Sequence, residues 1–264
     1  MKRFLIILTI FAVCSAMVFA AGKGKAKKAN VEEFVHVECG GFRMGSEDEY
    51  DATPHDAWVS EFFICTHEVT QEEYKAIMGT NPSEIKKKNH PVENVSWFDA
   101  IEYCNRRSIA EGLTPCYTEG FELDIGADGY RLPTETEWEF AARGGNMSQN
   151  YSFSGSDSLD SVSWNSENSG HKHHEIMTKE PNELGIYDMT GNVAEWCWDW
   201  YDSYPEEKQD IDPEGPASGE FRVIRGGTCY FIDDNMTIQA RNGTSPDTKA
   251  LHIGFRVVRS GPRG

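Results

Sequence analysis

The sequence has no long hydrophobic run after residue 21, and it has no internal repeat. Because a transmembrane helix needs about 20 consecutive apolar residues, no membrane span is predicted for this part of the chain. Basic residues are also scarce, since 25 Lys and Arg stand against 43 Asp and Glu and give a net charge of -18. Such a chain repels nucleic acid and anionic lipid surfaces. The composition therefore argues against nucleic-acid-binding and membrane-spanning proteins.

Several catalytic signatures are missing as well. The sequence contains no Gly-x-Ser-x-Gly turn and no glycine-rich phosphate loop with Lys-Ser/Thr. The first absence argues against hydrolases with a nucleophilic serine on such a turn, and the second argues against P-loop nucleotide-binding enzymes. Histidine, serine and acidic residues are all present, but no motif brings them together.

The N-terminal segment has the composition of a secretory signal peptide. A basic start is followed by an apolar run from Phe4 to Val18 and by small residues near Ala20. The alternatives are a membrane anchor, for which the run is short, and lipidation of Cys14, which has a bulky residue before it. We predict a signal peptide at residues 1–21, a basic flexible tether at residues 22–33, and export to the periplasm, the cell surface or the medium.

Six cysteines remain after the predicted cleavage, and no Cys-x-x-Cys occurs among them, which argues against a zinc ribbon or a thioredoxin-type site. In an exported protein an even number of cysteines permits disulfides. Cys104 and Cys116 lie close in the chain and are the best candidates for a pair, and a structural disulfide between Cys197 and Cys229 is a second expectation. The six are Cys39, Cys65, Cys104, Cys116, Cys197 and Cys229.

Three segments carry the same helix-start signal, a hydroxyl residue followed three positions later by an acidic residue. Thr70, Ser96 and Thr134 can each accept a hydrogen bond from the third backbone N–H, while the acidic side chain reaches back to the cap. Each segment ends near a glycine that suits the left-handed C-terminal position. We therefore predict three helices, which end near Gly79, Gly112 and Gly144.

Short strand-like segments and one long polar segment surround these helices. The strand-like segments are Ala57–Cys65, Phe221–Ile224 and Ile253–Val258. Residues 146–182 are rich in Ser, Asn, Gly and His, which predicts a long surface excursion. No linker divides the chain, so we expect one α+β domain at residues 34–260.

Seven short motifs follow one another in this domain. They are Phe42–Ser46, Glu68–Thr70, Pro91–Trp97, Gly129–Glu139, Gly191–Trp196, Arg225–Gly227 and Gly254–Arg256. In this order they resemble the sulfatase-modifying-factor family, whose founding members are the formylglycine-generating enzymes. The resemblance covers nearly the whole of the predicted domain. It implies the formylglycine-generating-enzyme-type variant of the C-type lectin fold, an α+β fold with much irregular structure.

The copper site that the resemblance implies is not supported by the residues. In the formylglycine-generating enzymes two cysteines shortly after the Arg-Gly-Gly motif bind copper, because copper(I) prefers soft thiolates. Counted forward from this motif, the two positions fall at Phe231 and Met236. Counted back from Arg241, at the far end of the loop, the two positions fall at Thr228 and Asp233. Neither register supplies a thiol, and Cys229 alone cannot form a two-thiolate centre, so copper is not expected.

Calcium is the metal that the resemblance favours. The family builds a calcium site around the Gly-Asn motif, and the matching positions here are Asp188, Gly191, Val193 and Glu195. Two carboxylates and two backbone carbonyls offer the hard oxygen donors that calcium takes. The alternative is that the two carboxylates cap turns and pair with arginines.

A histidine-rich segment keeps a second metal hypothesis open. His171, His173, His174 and Glu175 offer ligand types for iron, zinc or nickel. The chain would then be an oxidoreductase or another metalloenzyme of the same family with a different centre. A polar loop without metal is the alternative interpretation.

The segment from Arg225 to Arg256 is the predicted functional face, and we expect it to bind a ligand rather than to catalyse a reaction. Relatives of this fold that are made by diversity-generating retroelements present changeable side chains on the same surface, although one sequence cannot show variability. Aromatic rings and small polar groups suit recognition of an extracytoplasmic protein, peptide or glycan. The candidate ligand-binding residues are Tyr230, Phe231, Asp233, Asp234, Asn235, Thr237, Gln239, Asn242, Lys249 and His252.

Overall fold

The computed structural model describes residues 33–204, 211–231 and 236–261. The predicted signal peptide lies outside these residues, as does the predicted tether apart from Glu33. The described part of the chain is α+β, as predicted. Its strands are β1 (Phe34–Val37), β2 (Gly40–Met44), β3 (His55–Val59), β4 (Phe62–Cys65), β5 (Tyr130–Arg131), β6 (Ala194–Trp200), β7 (Arg222–Arg225), β8 (Arg241–Thr244), β9 (Ile253–Gly254) and β10 (Val258–Ser260). Its helices are α1 (Gln71–Met78), α2 (Trp97–Glu111), α3 (Glu135–Ala142) and α4 (Leu159–Val162), with a 3₁₀ turn at Gly145–Met147.

The three predicted helix starts are confirmed as capping boxes. Thr70, Ser96 and Thr134 each accept a hydrogen bond from the backbone N–H three residues later, and the acidic side chain at that position accepts from the cap. Helices α1 and α2 end at left-handed glycines. Gly144 follows the last cap residue of α3 with a φ of 89°. The local sequence therefore specifies where these helices begin and end.

The strands form three sheets. The first has the strand order β1-β4-β10-β5, the second pairs β2 with β3, and the third has the order β8-β7-β6-β9. Strands β6 and β9 are parallel, and the other pairs are antiparallel. The C-terminal part of the chain therefore contributes β9 to one sheet and β10 to another.

Two segments that were predicted as single strands are each divided between two sheets. Ala57–Cys65 breaks at Ser60, whose N–H donates to Asp212 Oδ1 at 2.5 Å. Ile253–Val258 breaks in the same way into β9 and β10. Each segment was wrongly predicted to be one continuous strand, because the alternation of apolar residues does not change where the chain passes from one sheet to another.

The apolar core consists of two clusters that share strand β6. Trp196 and Trp198 belong to the first cluster, with α1 and α2, whereas Cys197 belongs to the second, with α3 and β4. Successive side chains of a strand point to opposite faces. Strand β6 is therefore covered on both faces and connects the two parts of the core.

Most of the polar segment 146–182 is exposed or half-buried, as predicted, but several of its side chains reach the interior. Its polar side chains satisfy backbone groups in the interior, as when Asn182 Nδ2 donates to Ala141 O at 2.8 Å and Ser154 Oγ donates to Ala142 O at 2.7 Å. Ser163, Ser169 and His173 are buried as well. Paired polar groups can be buried at little net cost, so a low content of apolar residues does not show exposure.

The predicted disulfides are absent from the described residues. No disulfide joins Cys104 to Cys116 or Cys197 to Cys229. Five of the six cysteines are buried and pack as small apolar side chains. Among the helices of the described ranges, none combines the length and apolarity that crossing a membrane requires.

Candidate functional site

A buried network of ion pairs lies beneath the predicted functional face. Arg225 on β7 pairs with Glu135 (Nη1–Oε1 2.5 Å) and with Glu139 (Nη2–Oε2 2.7 Å) on α3. Arg241 on β8 also pairs with Glu135 (Nη2–Oε2 2.7 Å). Burial would raise the pKa of Glu135, but the two guanidinium groups outweigh it and lower this pKa to about 2. The network fixes the positions of α3, β7 and β8 relative to one another.

The Arg-Gly-Gly motif turns the chain above this network. Gly226 and Gly227 have φ angles of 93° and 69°, a region that side chains other than glycine seldom adopt. The carbonyl of Gly226 accepts from the N–H of Gly191 at 2.8 Å, which ties the turn to the Gly-Asn motif. The turn borders a cleft of about 250 Å³. The residues that line the cleft are Glu49, Ala194, Ile224, Arg225, Gly226, Gly227, Thr228, Phe231, Ala240, Arg241, Asn242 and His252.

Three of the predicted ligand-binding residues meet at this cleft. Phe231 is 49% exposed, and its ring contacts that of His252 edge to face at a centroid distance of 4.7 Å. Asn242 lies on the cleft wall and is exposed. An aromatic ring, an imidazole and an amide are thus presented together on a rigid base.

Four other predicted residues do not line the cleft. Tyr230 lies beside it, with its ring 6.3 Å from that of His252. Lys249 pairs with Asp99 at the start of α2 (Nζ–Oδ2 2.6 Å). Thr237 and Gln239 are half-buried. Asp233, Asp234 and Asn235 lie outside the described residues.

Glu49 is a cleft residue that sequence reasoning missed. It comes from the loop between β2 and β3, far in sequence from the other residues of the cleft. No local pattern marks it, because only the packing of the N-terminal loop against the C-terminal face places it there.

The two thiol positions of the copper enzymes hold no cysteine in the described structure. Met236 and Thr228 are buried, and Phe231 is exposed at the cleft. The Thr228 side chain accepts from the N–H of Tyr230 at 3.0 Å, so it shapes the turn. Asp233 lies outside the described residues.

The two nearby cysteines do not supply a thiolate pair either. Cys229 and Cys197 are both fully buried. Burial raises the pKa of Cys197 well above its usual range, which keeps its thiol protonated and unreactive. Cys197 belongs to the second core cluster, and Cys229 belongs to neither cluster.

The predicted calcium residues divide into two groups. Asp188 Oδ2 accepts from the N–H of Met177 at 2.8 Å, but its buried Oδ1 has no hydrogen-bond partner in the described residues. Burial raises the pKa of Asp188 to about 6. Glu195 instead forms a two-point ion pair with Arg256 (2.6 and 2.7 Å) and accepts from Trp138 Nε1 at 2.7 Å. Of these two carboxylates only Asp188 keeps an oxygen that could meet a cation, whereas the alternative of pairing with an arginine holds for Glu195.

Glu68, from the Glu-Val-Thr motif, adds a third buried carboxyl group to this region. Its oxygens accept from Asn192 Nδ2 at 2.7 Å and from the N–H of Val193 at 3.1 Å. Burial and the charges of Asp188 and Glu195 raise the pKa of Glu68 well above its usual value. Glu68 belongs to a motif that was recognised in the sequence, but no sequence feature predicts its position beside the Gly-Asn turn.

The three histidines of the polar loop face separate partners. His171 Nδ1 lies 3.1 Å from the carbonyl oxygen of Tyr230. His173 is buried and contacts His90 (Nδ1–Nδ1 2.9 Å), and burial lowers the pKa of His173 to about 4. His174 stacks on a tryptophan ring. The loop therefore supports the backbone before Phe231, and its imidazoles do not share a metal-binding point.

Comparison with known proteins identifies the family. Residues 20–261 match the family described as the sulfatase-modifying factor enzyme 1-like domain. The chain is 37% identical to the chaperone protein LppX of Paenibacillus barcinonensis, over 98% of this chain and 100% of that protein. It is 33% identical to the formylglycine-generating enzyme of Streptomyces coelicolor, over 65% of this chain and 53% of that protein. The chain thus spans about half of the length of the enzyme.

A solved structure supports the same assignment. Treponema denticola variable protein 1 is similar with a TM-score of 0.81 and 35% identity, over 86% of this chain and 95% of that chain. The fold is therefore the formylglycine-generating-enzyme-type variant of the C-type lectin fold that the motifs implied. This chain belongs to the sulfatase-modifying factor enzyme 1-like domain family.

Proposed function

We propose that this protein is a non-catalytic member of its family that binds a protein or peptide through the cleft beside the Arg-Gly-Gly turn. The observation that carries the proposal is the composition of the cleft. Phe231, Asn242 and His252 are presented on the buried ion-pair network, and no cysteine belongs to its described lining. A rigid base with aromatic and amide groups suits recognition, and oxidation through two thiolates has no residues to use.

A polypeptide ligand is favoured by two further features. The relative LppX, which this chain spans completely, is named a chaperone protein, and a chaperone acts on a polypeptide. Glu49 and Asn242 also line the cleft, and such polar groups suit recognition of a polypeptide. We further propose that the protein is exported, on the basis of the composition of residues 1–21.

Peptide binding can be tested with a displayed library of random peptides. Peptides selected on the full chain should lose at least about tenfold in affinity with Phe231→Ala, because removal of an aromatic anchor costs more than about 1.4 kcal/mol. Phe121→Ala is the matched control, since Phe121 is 51% exposed and lies outside the cleft. Equal losses in both variants, or selection of glycans but not peptides on an array, would contradict a peptide-binding cleft.

The lack of catalysis has its own test. The purified protein is incubated with copper, oxygen and a peptide that carries the sulfatase cysteine motif, and the product is analysed by mass spectrometry. We expect the cysteine to remain unmodified. Formation of formylglycine above the level given by copper alone would overturn the proposed function.

Export is tested by the N-terminus of the protein purified from its native cells. We expect mass spectrometry to find a mature chain that begins near Ala21, in an extracytoplasmic fraction. An intact Met1 in the cytoplasmic fraction would contradict export.

A further inference from the structure

A cluster of three potential metal ligands lies at the start of β1 and shares no residue with the cleft or with the predicted calcium residues. A carboxyl oxygen of Glu33, the sulfur of Cys65 and a ring nitrogen of His67 all lie within 4.8 Å of one another. Cys65 and His67 are buried, and the side chain of Glu33 is 20% exposed. The site is therefore enclosed but can be reached from one side.

The backbone holds these residues in place. Strand β1 pairs with β4 so that Phe34 lies opposite Cys65, and Thr66 N donates to Glu33 O at 2.9 Å. The alternation of side chains along β4 and its continuation then places Cys65 and His67 on the same side. The three ligands are thus brought together by two adjacent chain segments that the first sheet fixes.

The spacing of the sulfur and nitrogen atoms suits a tetrahedral metal ion. Cys65 Sγ lies 3.8 Å from His67 Nδ1, whereas Zn–S and Zn–N bonds of about 2.3 and 2.0 Å in a tetrahedron place the two donors about 3.5 Å apart. The same Nδ1 lies 2.9 Å from the carbonyl oxygen of Glu68. This contact requires the proton on Nδ1, so metal binding requires the other tautomer or a rotation of the ring.

A second carboxyl group lies near the three potential ligands. The carboxyl group of Glu73 lies near that of Glu33. The Oε2 atom of Glu73 also accepts from the N–H and hydroxyl of Thr70. The negative charge of both carboxylates favours a cation at this place.

The charges of the cluster balance with a divalent cation. Ionised Glu33, Glu73 and Cys65 carry three negative charges, and the guanidinium of Arg107, which lies 3.4 Å from Glu33, carries one positive charge. With a neutral imidazole at His67 the net charge is -2, which one divalent ion neutralises. An unpaired buried charge is costly, so the ligands in their metal-binding form require such an ion.

We propose that Glu33, Cys65 and His67 bind one zinc ion. Thiolate, imidazole and carboxylate together are ligands that zinc accepts in tetrahedral sites, whereas copper(I) prefers soft thiolate and thioether ligands. The ion joins Glu33, directly before β1, to Cys65 on β4 and to His67. The ion therefore stabilises the contact between the segment before β1 and the segment that follows β4.

The test uses the full chain, kept reduced and freed of metal with a chelator. Titration with zinc should saturate at one ion per chain and raise the melting temperature, because a ligand of the native state stabilises it. Substitution with cobalt(II) should give the near-ultraviolet absorption of a thiolate–cobalt bond and the visible bands of tetrahedral geometry. Failure to bind one zinc ion per chain, or a cobalt spectrum without the thiolate band, would overturn the site.

Variants identify the ligands. Cys65→Ser should abolish the thiolate band, whereas Cys116→Ser should retain it, since Cys116 is another buried cysteine of the same core cluster. Because Cys65→Ser can unfold the chain, Glu33→Gln gives an independent test at a partly exposed ligand. Loss of a ligand should weaken zinc binding by at least about tenfold, as loss of an outer partner already costs about 10- to 100-fold. Unchanged zinc affinity in folded Glu33→Gln, or a thiolate band that persists in Cys65→Ser, would contradict the assignment.

Discussion

Glu135 is the residue on which the ion-pair network beneath the cleft depends most. Its carboxylate bonds to the guanidinium groups of both Arg225 and Arg241, and all three side chains are almost entirely buried. Removing one partner of a buried pair leaves the opposite charge without compensation. Glu135 therefore ties the stability of the fold to the shape of the cleft.

The first prediction concerns the pH dependence of this contribution. The pKa of Glu135 is lowered from 4.5 to about 2. A carboxyl group with a lowered pKa stabilises the fold fully above its unfolded pKa, and its contribution is lost as the pH falls through the folded pKa. We expect Glu135→Gln to lower the free energy of unfolding by about 3 kcal/mol at neutral pH, with the difference shrinking between about pH 5 and pH 2. Urea denaturation across this range measures it.

An exposed ion pair supplies the control for this measurement. Glu102 pairs with Arg106 on the surface of α2 (Oε1–Nε 2.6 Å), with both side chains about half exposed. Such pairs contribute only about 0–1 kcal/mol, so Glu102→Gln should have a small effect. Equal losses in the two variants, or a loss at Glu135 that does not depend on pH, would contradict the account of the network.

At the scale of the element, each of the three longest helices depends on its capping box. Ser96 Oγ accepts from the N–H of Asp99 at 3.1 Å, and Asp99 Oδ2 accepts from the N–H of Ser96 at 2.9 Å. Asp99 also pairs with Lys249, so the box connects α2 to the C-terminal segment. This capping box therefore starts α2 and also holds the C-terminal segment against the start of the helix.

The second prediction is that Ser96→Ala lowers the free energy of unfolding by about 1 kcal/mol, because an N-terminal N–H of α2 loses its acceptor. Chemical denaturation monitored by circular dichroism measures the change. Ser218→Ala at an exposed position outside the helices should change stability by less than about 0.5 kcal/mol. If the two variants are equally stable, the cap does not stabilise α2.

The strands were predicted less well than the helices. Their apolar residues were recognised, but the breaks at Ser60 and after Gly254 were missed. A helix start needs only a hydroxyl and an acid three residues apart, so the neighbouring sequence specifies it. A strand break depends on partners from elsewhere, such as Asp212 for Ser60, and a local pattern cannot report them.

At the scale of the whole molecule, buried carboxyl groups from distant segments meet around one arginine. Glu68 follows β4, Asp188 precedes the Gly-Asn turn, Glu195 lies on β6, and Arg256 lies between β9 and β10. Arg256 neutralises Glu195 directly. The buried Oδ1 of Asp188 has no hydrogen-bond partner in the described residues, which supports our proposal of a cation at this place.

The third prediction follows from this arrangement. Calcium added to metal-free protein should raise the melting temperature by several degrees, because about 2.7 kcal/mol is gained at a concentration of 100 times the dissociation constant. Asp188→Asn should lose this response, and differential scanning calorimetry measures both. No shift in the wild-type protein would count against calcium.

The two metal proposals can be separated with one set of variants. Cys65→Ser should keep the calcium response and lose the zinc response, whereas Asp188→Asn should do the reverse. The same variant losing both responses would indicate a general loss of the fold rather than two separate sites, and circular dichroism of each variant detects this.

The sequence by itself determined the order of the seven motifs, the starts of the three main helices, the α+β class and the lack of a thiol at the two copper positions. These features depend on residue identity and on hydrogen bonds between near neighbours, which are fixed by the local sequence. Only the tertiary structure decided that Glu49 lines the cleft, that Glu195 pairs with Arg256, that part of the polar segment 146–182 reaches the interior, and that Glu33 meets Cys65 and His67. Each of these contacts joins or packs side chains across distant parts of the chain, and their distances are set by how the sheets and core clusters assemble.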